Sequence, residues 1–180
     1  SNSRIMPRIR TTALATFFIY LGFTTLLTVL LMVCGMSLFD AVNHSFSTIA
    51  TGGFSSYNDS VAHFNSPIIE YILGGFMIIS GGNFSLYYQV YQSGMQQLFK
   101  DTEFRTYIIF TIISVILVTA NICYVNGFSI IDGFRYAFFQ VTSFVSTTGF
   151  VSYDYDQWPS FSKLLLAVMY LTGGCAGSTA

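Results

Sequence analysis

Four long stretches of the chain contain no charged residue and are dominated by apolar side chains. They cover residues 11–39, 71–99, 106–131 and 164–180. A helix needs roughly 20 predominantly apolar residues to cross a bilayer, and each stretch is close to or above that length. We therefore predict four membrane-spanning helices.

Two further uncharged stretches, residues 41–58 and 136–153, are rich in Ser, Thr and Gly. They are too polar to face lipid and too poor in charge to be ordinary exposed loops. Asp40 and Asp132 open short amphipathic segments, where an acidic residue suits the N-terminal end of a helix. Irregular backbone at membrane depth is tolerated only where it lines a cavity or is buried in protein. We predict that each stretch re-enters the membrane as a pore helix and a filter strand, the alternative being a pair of glycine-containing turns outside it.

An internal repeat relates the two halves of the chain. Residues 35–41 match residues 127–133 at an offset of 92, and the motif Thr-x-Gly-Phe recurs at 51–54 and 147–150 at an offset of 96. Each copy predicts an outer helix, a polar segment and an inner helix. The copies run parallel, because each begins on the same side of the membrane.

The predicted fold is thus an all-α membrane protein made of two helix–pore loop–helix repeats. The first repeat covers residues 1–103, with the outer helix at about 11–35, the pore helix at about 38–48, the filter at 49–54 and the inner helix at about 67–99. The second covers residues 104–180, with the corresponding segments at about 105–126, 130–144, 145–150 and 160–180.

Composition and charge agree with this architecture. Hydrophobic residues make up 53% of the chain and charged residues only 8%, against roughly 25% charged in soluble domains, which excludes a soluble fold and a disordered chain. Lys and Arg are enriched in cytoplasmic loops, so the segments before the first helix and between the second and third are predicted to be cytoplasmic. The basic residues concerned are Arg4, Arg8, Arg10, Lys100 and Arg105; Asp40, Asp59, Asp132, Asp154 and Asp156 then face the other side, with Arg135 as the basic exception.

The polar segments have the chemistry of a cation filter. A dehydrated monovalent cation must recover oxygen ligands, which stacked backbone carbonyls from several strands can supply. Glycine lets carbonyls turn inward without a Cβ clash, threonine adds hydroxyl oxygens, and a phenylalanine can pack behind the strand. The residues in question are Gly52, Gly53 and Gly149, then Thr51, Thr147 and Thr148, and finally Phe54 or Phe150.

Three runs carry a resemblance to a known family. Residues 43–55, residues 146–150 with Trp158 and Pro159 after them, and residues 173–180 resemble the Trk/Ktr/HKT family of potassium uptake proteins. The resemblance covers essentially the whole chain. It implies four helix–pore loop–helix repeats around one pseudo-fourfold pore, of which this chain resembles the second and third, and it implies potassium as the transported ion with no organic cofactor.

The resemblance also implies the site residues. The potassium filter would comprise Ile49, Ala50, Thr51, Gly52, Gly53, Val145, Ser146, Thr147, Thr148 and Gly149. An intramembrane gate loop beneath it would comprise Gly173, Gly174, Cys175, Ala176, Gly177, Ser178 and Thr179. With one glycine at the filter position shared by both copies, we expect looser discrimination against sodium than in a tetrameric potassium channel.

The expected setting is the bacterial inner membrane, with lipid around the helices. Two filter strands cannot encircle an ion, so we expect the remaining repeats of the same transporter to complete the pore. The resemblance further implies a homodimer and a cytosolic nucleotide-binding ring subunit of the TrkA-like kind as regulator. No enzymatic activity and no nucleic-acid partner are expected, since the sequence shows neither a nucleophile–base pair nor a basic patch.

Other residues receive ordinary interpretations. His44 and His63 have no partner at metal-ligand spacing, so no metal beyond potassium is expected. Glu70 and Lys163 are predicted to snorkel to the membrane interface. The glycine pair 74–75 and the run 81–83 are candidates for breaks in the inner helix, with close helix packing as the alternative.

Two rival functions stay open at this point. A non-conducting membrane scaffold would use the glycines for helix packing and the polar segments as outside turns. A sodium-permeable or sodium-coupled transporter, or another symporter, would share the same fold.

Overall fold

The computed structural model describes the backbone of residues 2–180 and the side chains of residues 9–180, so the side chains of Arg4 and Arg8 lie outside the described part. This part is helical, without a β-strand, as predicted. The helices are α1 (Asn2–Val33), α2 (Leu38–Ile49), α3 (Pro67–Ser80), α4 (Phe84–Ser93), α5 (Gln96–Lys100), α6 (Thr102–Asn126), α7 (Ile130–Val145) and α8 (Ser160–Thr172). Short 3-10 turns lie at Ser60–Phe64 and Tyr155–Gln157.

The four apolar runs do not all form straight spans. Among the described residues, 9–33 of α1 and the whole of α6 are long and apolar enough to cross a membrane. Helices α3 and α4 qualify only together, as a broken span with a bend of 88°, and α8 is a shorter apolar helix. The second predicted span is therefore two helices. Large apolar side chains such as Phe18 and Ile116 are exposed on the outward faces of α1 and α6, as suits a lipid environment.

The break between α3 and α4 falls at the predicted Gly81-Gly82-Asn83 run. Gly81 ends α3, and the side-chain oxygen of Asn83 caps α4 by accepting hydrogen bonds from the next helical amides. The other candidate pair is not a break, because Gly74 and Gly75 lie inside α3. A Cβ on Gly74 would collide with the ring of Phe138, so that glycine serves close packing of α3 on α7.

Pore helices α2 and α7 begin with the same capping arrangement. The Ser37 hydroxyl accepts a hydrogen bond from the Asp40 amide at 3.1 Å and donates to the Asp40 carboxylate at 2.8 Å. Ser129 and Asp132 make the same pair of bonds at 3.1 and 2.9 Å. Each helix thus starts at a serine cap, and the aspartate that the sequence pointed to lies one turn inside it.

The two repeats share their interior. Phe139 and Phe150 of the second repeat are fully buried in a core formed largely by the first, around residues such as Leu27, Leu73 and Met77. Helix α3 of the first repeat also packs along α7 of the second. The pore segments are consequently held against each other as well as within their own repeats.

Candidate ion-conduction site

The two pore helices end in the same unusual backbone turn. Thr51 and Thr147 have φ angles of 50° and 56°, and Gly53 and Gly149 have φ angles of 66° and 87°. A positive φ is uncommon outside glycine and is an outlier for a β-branched residue. Such conformations persist only where the surroundings hold them, and they cluster at functional sites. The outlier recurs 96 residues apart, at the spacing of the Thr-x-Gly-Phe motif.

Equivalent hydrogen bonds hold the two turns. The amide of Gly52 donates to the Ser47 carbonyl at 2.7 Å, and the amide of Thr148 donates to the Ser143 carbonyl at 2.9 Å. Both bonds reach back into the last turn of the pore helix. The structural equivalence of residues 51–54 and 147–150 therefore extends to their internal bonding.

The two segments predicted to form the filter, residues 49–53 and 145–149 and called the filter segments below, lie side by side. A Cβ added to Gly53 would collide with the carbonyl oxygen of Thr148 in the other segment, whereas no described atom lies within 4 Å of the Cβ position of Gly149. Two separate constraints therefore require glycine at position 53: the left-handed backbone conformation, and the carbonyl oxygen of Thr148, which leaves no room for a Cβ. The sequence motif predicted the first requirement, and only the fold shows the second.

Only one of the two motif phenylalanines packs behind the filter. Phe150 is fully buried, its ring lies 5.8 Å from that of His44, and its carbonyl accepts a hydrogen bond from Ser143 at 2.7 Å. Phe54 is 75% exposed, so of the two candidates it is Phe150 that takes the predicted packing role. The reason is that the first repeat covers Phe150, while no described element covers Phe54.

His44 occupies a fixed position behind the first filter segment. Its Nδ1 lies 2.8 Å from the Asp40 carbonyl oxygen and its Nε2 lies 2.9 Å from the Ser55 hydroxyl. Both ring nitrogens are thus engaged, which gives His44 a structural role. Among the described residues, no group of three His, Cys, Asp or Glu could hold a metal ion.

Residues 173–180 lie directly against the first filter segment. The hydroxyl of Thr179 donates to the carbonyl of Ile49 at 2.7 Å, and the hydroxyl of Thr51 donates to the carbonyl of Thr179 at 2.6 Å. The chain leaves α8 through Gly173, with a φ of 65°, and turns again at Gly177, with a φ of 79°. The segment predicted as a gate loop thus touches the filter through both its backbone and a side chain.

The same loop fills the break between α3 and α4. The carbonyl of Gly81 accepts a hydrogen bond from the Cys175 amide at 2.8 Å, and the carbonyl of Ser80 accepts from the Thr179 hydroxyl at 3.1 Å. Tyrosine hydroxyls satisfy two further carbonyls of the last turn: Tyr107 donates to Ile78 at 3.1 Å and Tyr87 donates to Ile79 at 2.6 Å. A broken helix is stable at membrane depth only when neighbours satisfy the freed backbone groups, and these residues do so.

The sequence profile of the TrkH family, described as a cation transport protein, matches residues 2–180. The chain belongs to the TrkH family. It is 36% identical over 179 residues to the Trk system potassium uptake protein TrkH of Halomonas elongata and 38% identical over 180 residues to that of Salmonella typhimurium. Each alignment covers 99% of this chain and 37% of the relative, so the chain spans well under half the length of these proteins.

The fold matches a crystal structure of the same family. The potassium transporter TrkH from Vibrio parahaemolyticus superimposes with a TM-score of 0.92 at 38% identity, over 97% of this chain and 38% of that one. This confirms the resemblance seen in the sequence and the helix–pore loop–helix fold. The relatives are named as transporters. Their names apply to the whole of those proteins, of which this chain covers only a part.

An ion pair within this TrkH-family chain overturns the snorkelling prediction for Glu70. Glu70 is 1% exposed and forms a two-pronged bond with Arg135, whose Nε and Nη2 lie 2.6 and 2.7 Å from its two carboxylate oxygens. Nη2 also donates to the Asn65 side-chain oxygen at 3.2 Å. Lys163, by contrast, is exposed and donates to the Asp156 carbonyl. Glu70 is buried because α7 of the second repeat covers it.

Glu103 links the predicted cytoplasmic turn to the loop. One of its carboxylate oxygens accepts a hydrogen bond from the Ala176 amide at 2.6 Å. The side chain stands in the first turn of α6, beside a cavity of about 630 Å³ that Tyr107 and Cys175 also line. No local pattern predicts this contact, because Glu103 and Ala176 lie 73 positions apart in segments without a shared motif.

Two of the three threonine hydroxyls in the filter segments already form hydrogen bonds within the protein. Thr51 donates to Thr179, and the Thr148 hydroxyl lies 2.7 Å from that of Ser146. These contacts shape the filter segments from within the protein. Backbone carbonyls therefore remain the main candidates for ion ligands.

Proposed function

We propose that the whole protein carries potassium ions across the membrane and that residues 49–53 and 145–149 line part of its selectivity filter. The observation that carries the proposal is the pair of left-handed Thr and Gly residues at the end of each pore helix, brought together by the contact between Gly53 and Thr148. The names of the relatives support potassium as the ion.

The backbone turn suits carbonyl coordination. In an extended strand, successive peptide groups point to opposite sides. A left-handed residue at every second position, as at 51 and 53 or at 147 and 149, interrupts that alternation and lets neighbouring carbonyls turn the same way. Oxygen dipoles can then replace the hydration shell of a monovalent cation.

The pore helices add a favourable field. Helices α2 and α7 end at Ile49 and Val145, immediately before the filter segments. The C-terminal end of a helix carries a partial negative charge, which favours a cation nearby. Because this field comes from dipoles and not from a full charge, it can attract a cation without trapping it. Within the set, the carbonyls of Ile49 and Ala50 already accept bonds from the hydroxyls of Thr179 and Thr51, so we rank these two as the weaker ligands.

We propose that residues 173–179 gate this path. Their support is the bonding of the loop to both the filter and the helix break, together with its left-handed glycines at 173 and 177. A loop without side-chain bulk can leave such a site at the cost of a few hydrogen bonds. Opening would release the Ile49 carbonyl and Thr51 at the same time.

We further propose that the protein lies in the bacterial inner membrane with its basic turns in the cytoplasm and that it works as a homodimer with a cytosolic nucleotide-binding ring subunit. The basic residues Arg10, Lys100 and Arg105 support the orientation. The relatives' names place them in a Trk system, which implies more than one component. The contact between Glu103 and Ala176 offers such a regulator a route to the loop.

Thiol labelling tests the filter directly. In the full-length protein with Cys34, Cys123 and Cys175 replaced by alanine, cysteine is introduced at Thr51, at Thr147 or, as the control, at the exposed Tyr124. Potassium is expected to slow reaction of an impermeant thiol reagent at 51 and 147 and to leave 124 unaffected. Full labelling at 51 and 147 that potassium does not slow would support the scaffold alternative. Rubidium uptake by cells lacking other potassium uptake checks transport itself.

A further inference from the structure

We propose that Glu70 and Arg135 are positioning residues that set the two filter segments relative to each other and thereby determine how well the pore discriminates potassium from sodium. The inference rests on the proposed function. It starts from the two-pronged ion pair, which joins the first turn of α3 in the first repeat to pore helix α7 in the second.

The ion pair lies at one end of a continuous contact between the repeats. One turn further along α3, the Cβ position of Gly74 meets the ring of Phe138 on α7, and Tyr71 stacks on Phe134 with centroids 6.2 Å apart. Helix α7 then runs to Val145, where the second filter segment begins and meets Gly53 of the first. A shift of α7 against α3 would therefore be transmitted to the contact between the filter segments.

The chemistry of the pair favours a geometric role over a stabilising one. Burying two charges costs desolvation energy, and a buried ion pair is often no more stable than an apolar pair of the same size. A guanidinium that meets a carboxylate through two parallel bonds, however, fixes both distance and rotation. The additional bond from Arg135 to Asn65 ties the preceding loop to the same point.

The residues of the pair are not charged at the equivalent positions of the other repeat. At the offset of 92 residues, Arg135 corresponds to Asn43 and Glu70 corresponds to Ser162. Asn43 donates to Ser56 at 2.9 Å and Ser162 donates to Asn121 at 2.7 Å, so each bonds within its own repeat. The charged link is thus not repeated at positions 43 and 162 of this chain.

Substitutions in the full-length protein separate geometry from charge. E70Q removes the charge of one partner. R135K keeps the positive charge but cannot form the two-pronged bond, and the double variant E70Q/R135Q is neutral at both positions. K163Q removes an exposed charge at the start of the other inner helix, α8, and is the matched control. Rubidium and sodium uptake are measured for each variant and normalised to the amount of protein in the membrane.

We expect the ratio of rubidium to sodium uptake to fall at least threefold in E70Q, in R135K and in the double variant, and to be unchanged in K163Q. Loss of the two-pronged bond is expected to move α7 whatever charge remains at positions 70 and 135. A lower amount of folded protein, by contrast, leaves the ratio unchanged. If E70Q fails to reach the membrane, the conservative R135K carries the test.

Two outcomes would overturn the inference. One is a wild-type ratio in both E70Q and R135K. The other is a wild-type ratio in R135K and in the neutral double variant with a changed ratio in E70Q, which would show that only charge balance matters. Absence of rubidium uptake by the wild-type protein would instead count against the proposed function, so the two failures are distinguishable.

Discussion

The side chain of Thr51 donates a hydrogen bond to the backbone carbonyl of Thr179 at 2.6 Å, across 128 residues of sequence. The hydroxyl of Thr179 in turn donates a hydrogen bond to the carbonyl of Ile49 at 2.7 Å. The left-handed threonine of the filter is therefore held by the loop that follows α8. If the loop moves, the filter segment loses partners on both its backbone and its side chain, so we expect the two to be energetically coupled.

Replacing Thr179 with valine should loosen the loop while keeping its shape. The variant loses the single hydroxyl donor that the carbonyls of Ile49 and Ser80 share, a contribution of about 0.5–1.5 kcal/mol. We expect basal rubidium uptake through the full-length protein to rise about threefold or more. T172V, which loses only a bond inside α8, is the control. Equal uptake by T179V and wild type would argue against a gating role for this contact.

Glu103 should control how firmly the loop is held at its other end. Glu103→Ala removes the acceptor of the Ala176 amide. Hydrogen bonds to charged groups contribute roughly 1.5–3 kcal/mol, and the exposure of this carboxylate reduces that to about 1 kcal/mol. We expect deuterium exchange in peptides covering 173–180 to become about fivefold faster, while peptides from the middle of α6 keep their rate. Unchanged exchange across 173–180 would show that the contact does not restrain the loop.

The sequence predicted the repeated elements because their signals are local. Uncharged runs, the Thr-x-Gly-Phe motif and the glycines at 81–82 each specify a helix, a turn or a break within a few residues. Long-range partners were not predictable in this way. Glu70 looked like an interfacial side chain because nothing near it in sequence indicates Arg135, and the two motif phenylalanines are identical locally yet differ in burial because only Phe150 faces the other repeat.

Tyr107→Phe should destabilise the broken helix without altering the filter residues themselves. The variant leaves the carbonyl of Ile78, at a partly buried position, without its hydroxyl donor, which costs about 0.5–1.5 kcal/mol. We expect a lower melting temperature for the purified full-length protein in detergent. Tyr124→Phe, at a position that is 89% exposed, should melt like the wild type. Equal melting of both variants would mean that another group satisfies Ile78.

Asp40 should stabilise the start of the first pore helix in a pH-dependent way. Hydrogen bonds from the hydroxyls of Ser37 and Tyr57 lower the pKa of this carboxyl below its usual value of 3.8. A lowered pKa contributes stability that is fully present above the usual value and is lost as the pH falls through the folded-state value. We expect D40N to melt below the wild type at neutral pH, with a difference that shrinks below about pH 4. A pH-independent difference would contradict this assignment.

Replacement of Gly53 by alanine should be more damaging than the same replacement at Gly52. Gly53→Ala places a methyl group against the carbonyl of Thr148 and forces alanine into a left-handed conformation, with a combined cost of about 2–5 kcal/mol. Gly52→Ala meets only the movable ring of Phe54, at 3.1 Å, and Gly52 has no positive φ. We expect G53A to lower both the melting temperature and the ratio of rubidium to sodium uptake, and G52A to change the melting temperature little. Should G53A keep the wild-type ratio in folded protein, the contact between the filter segments would not govern selectivity, and the positions that do would have to lie elsewhere in the pore.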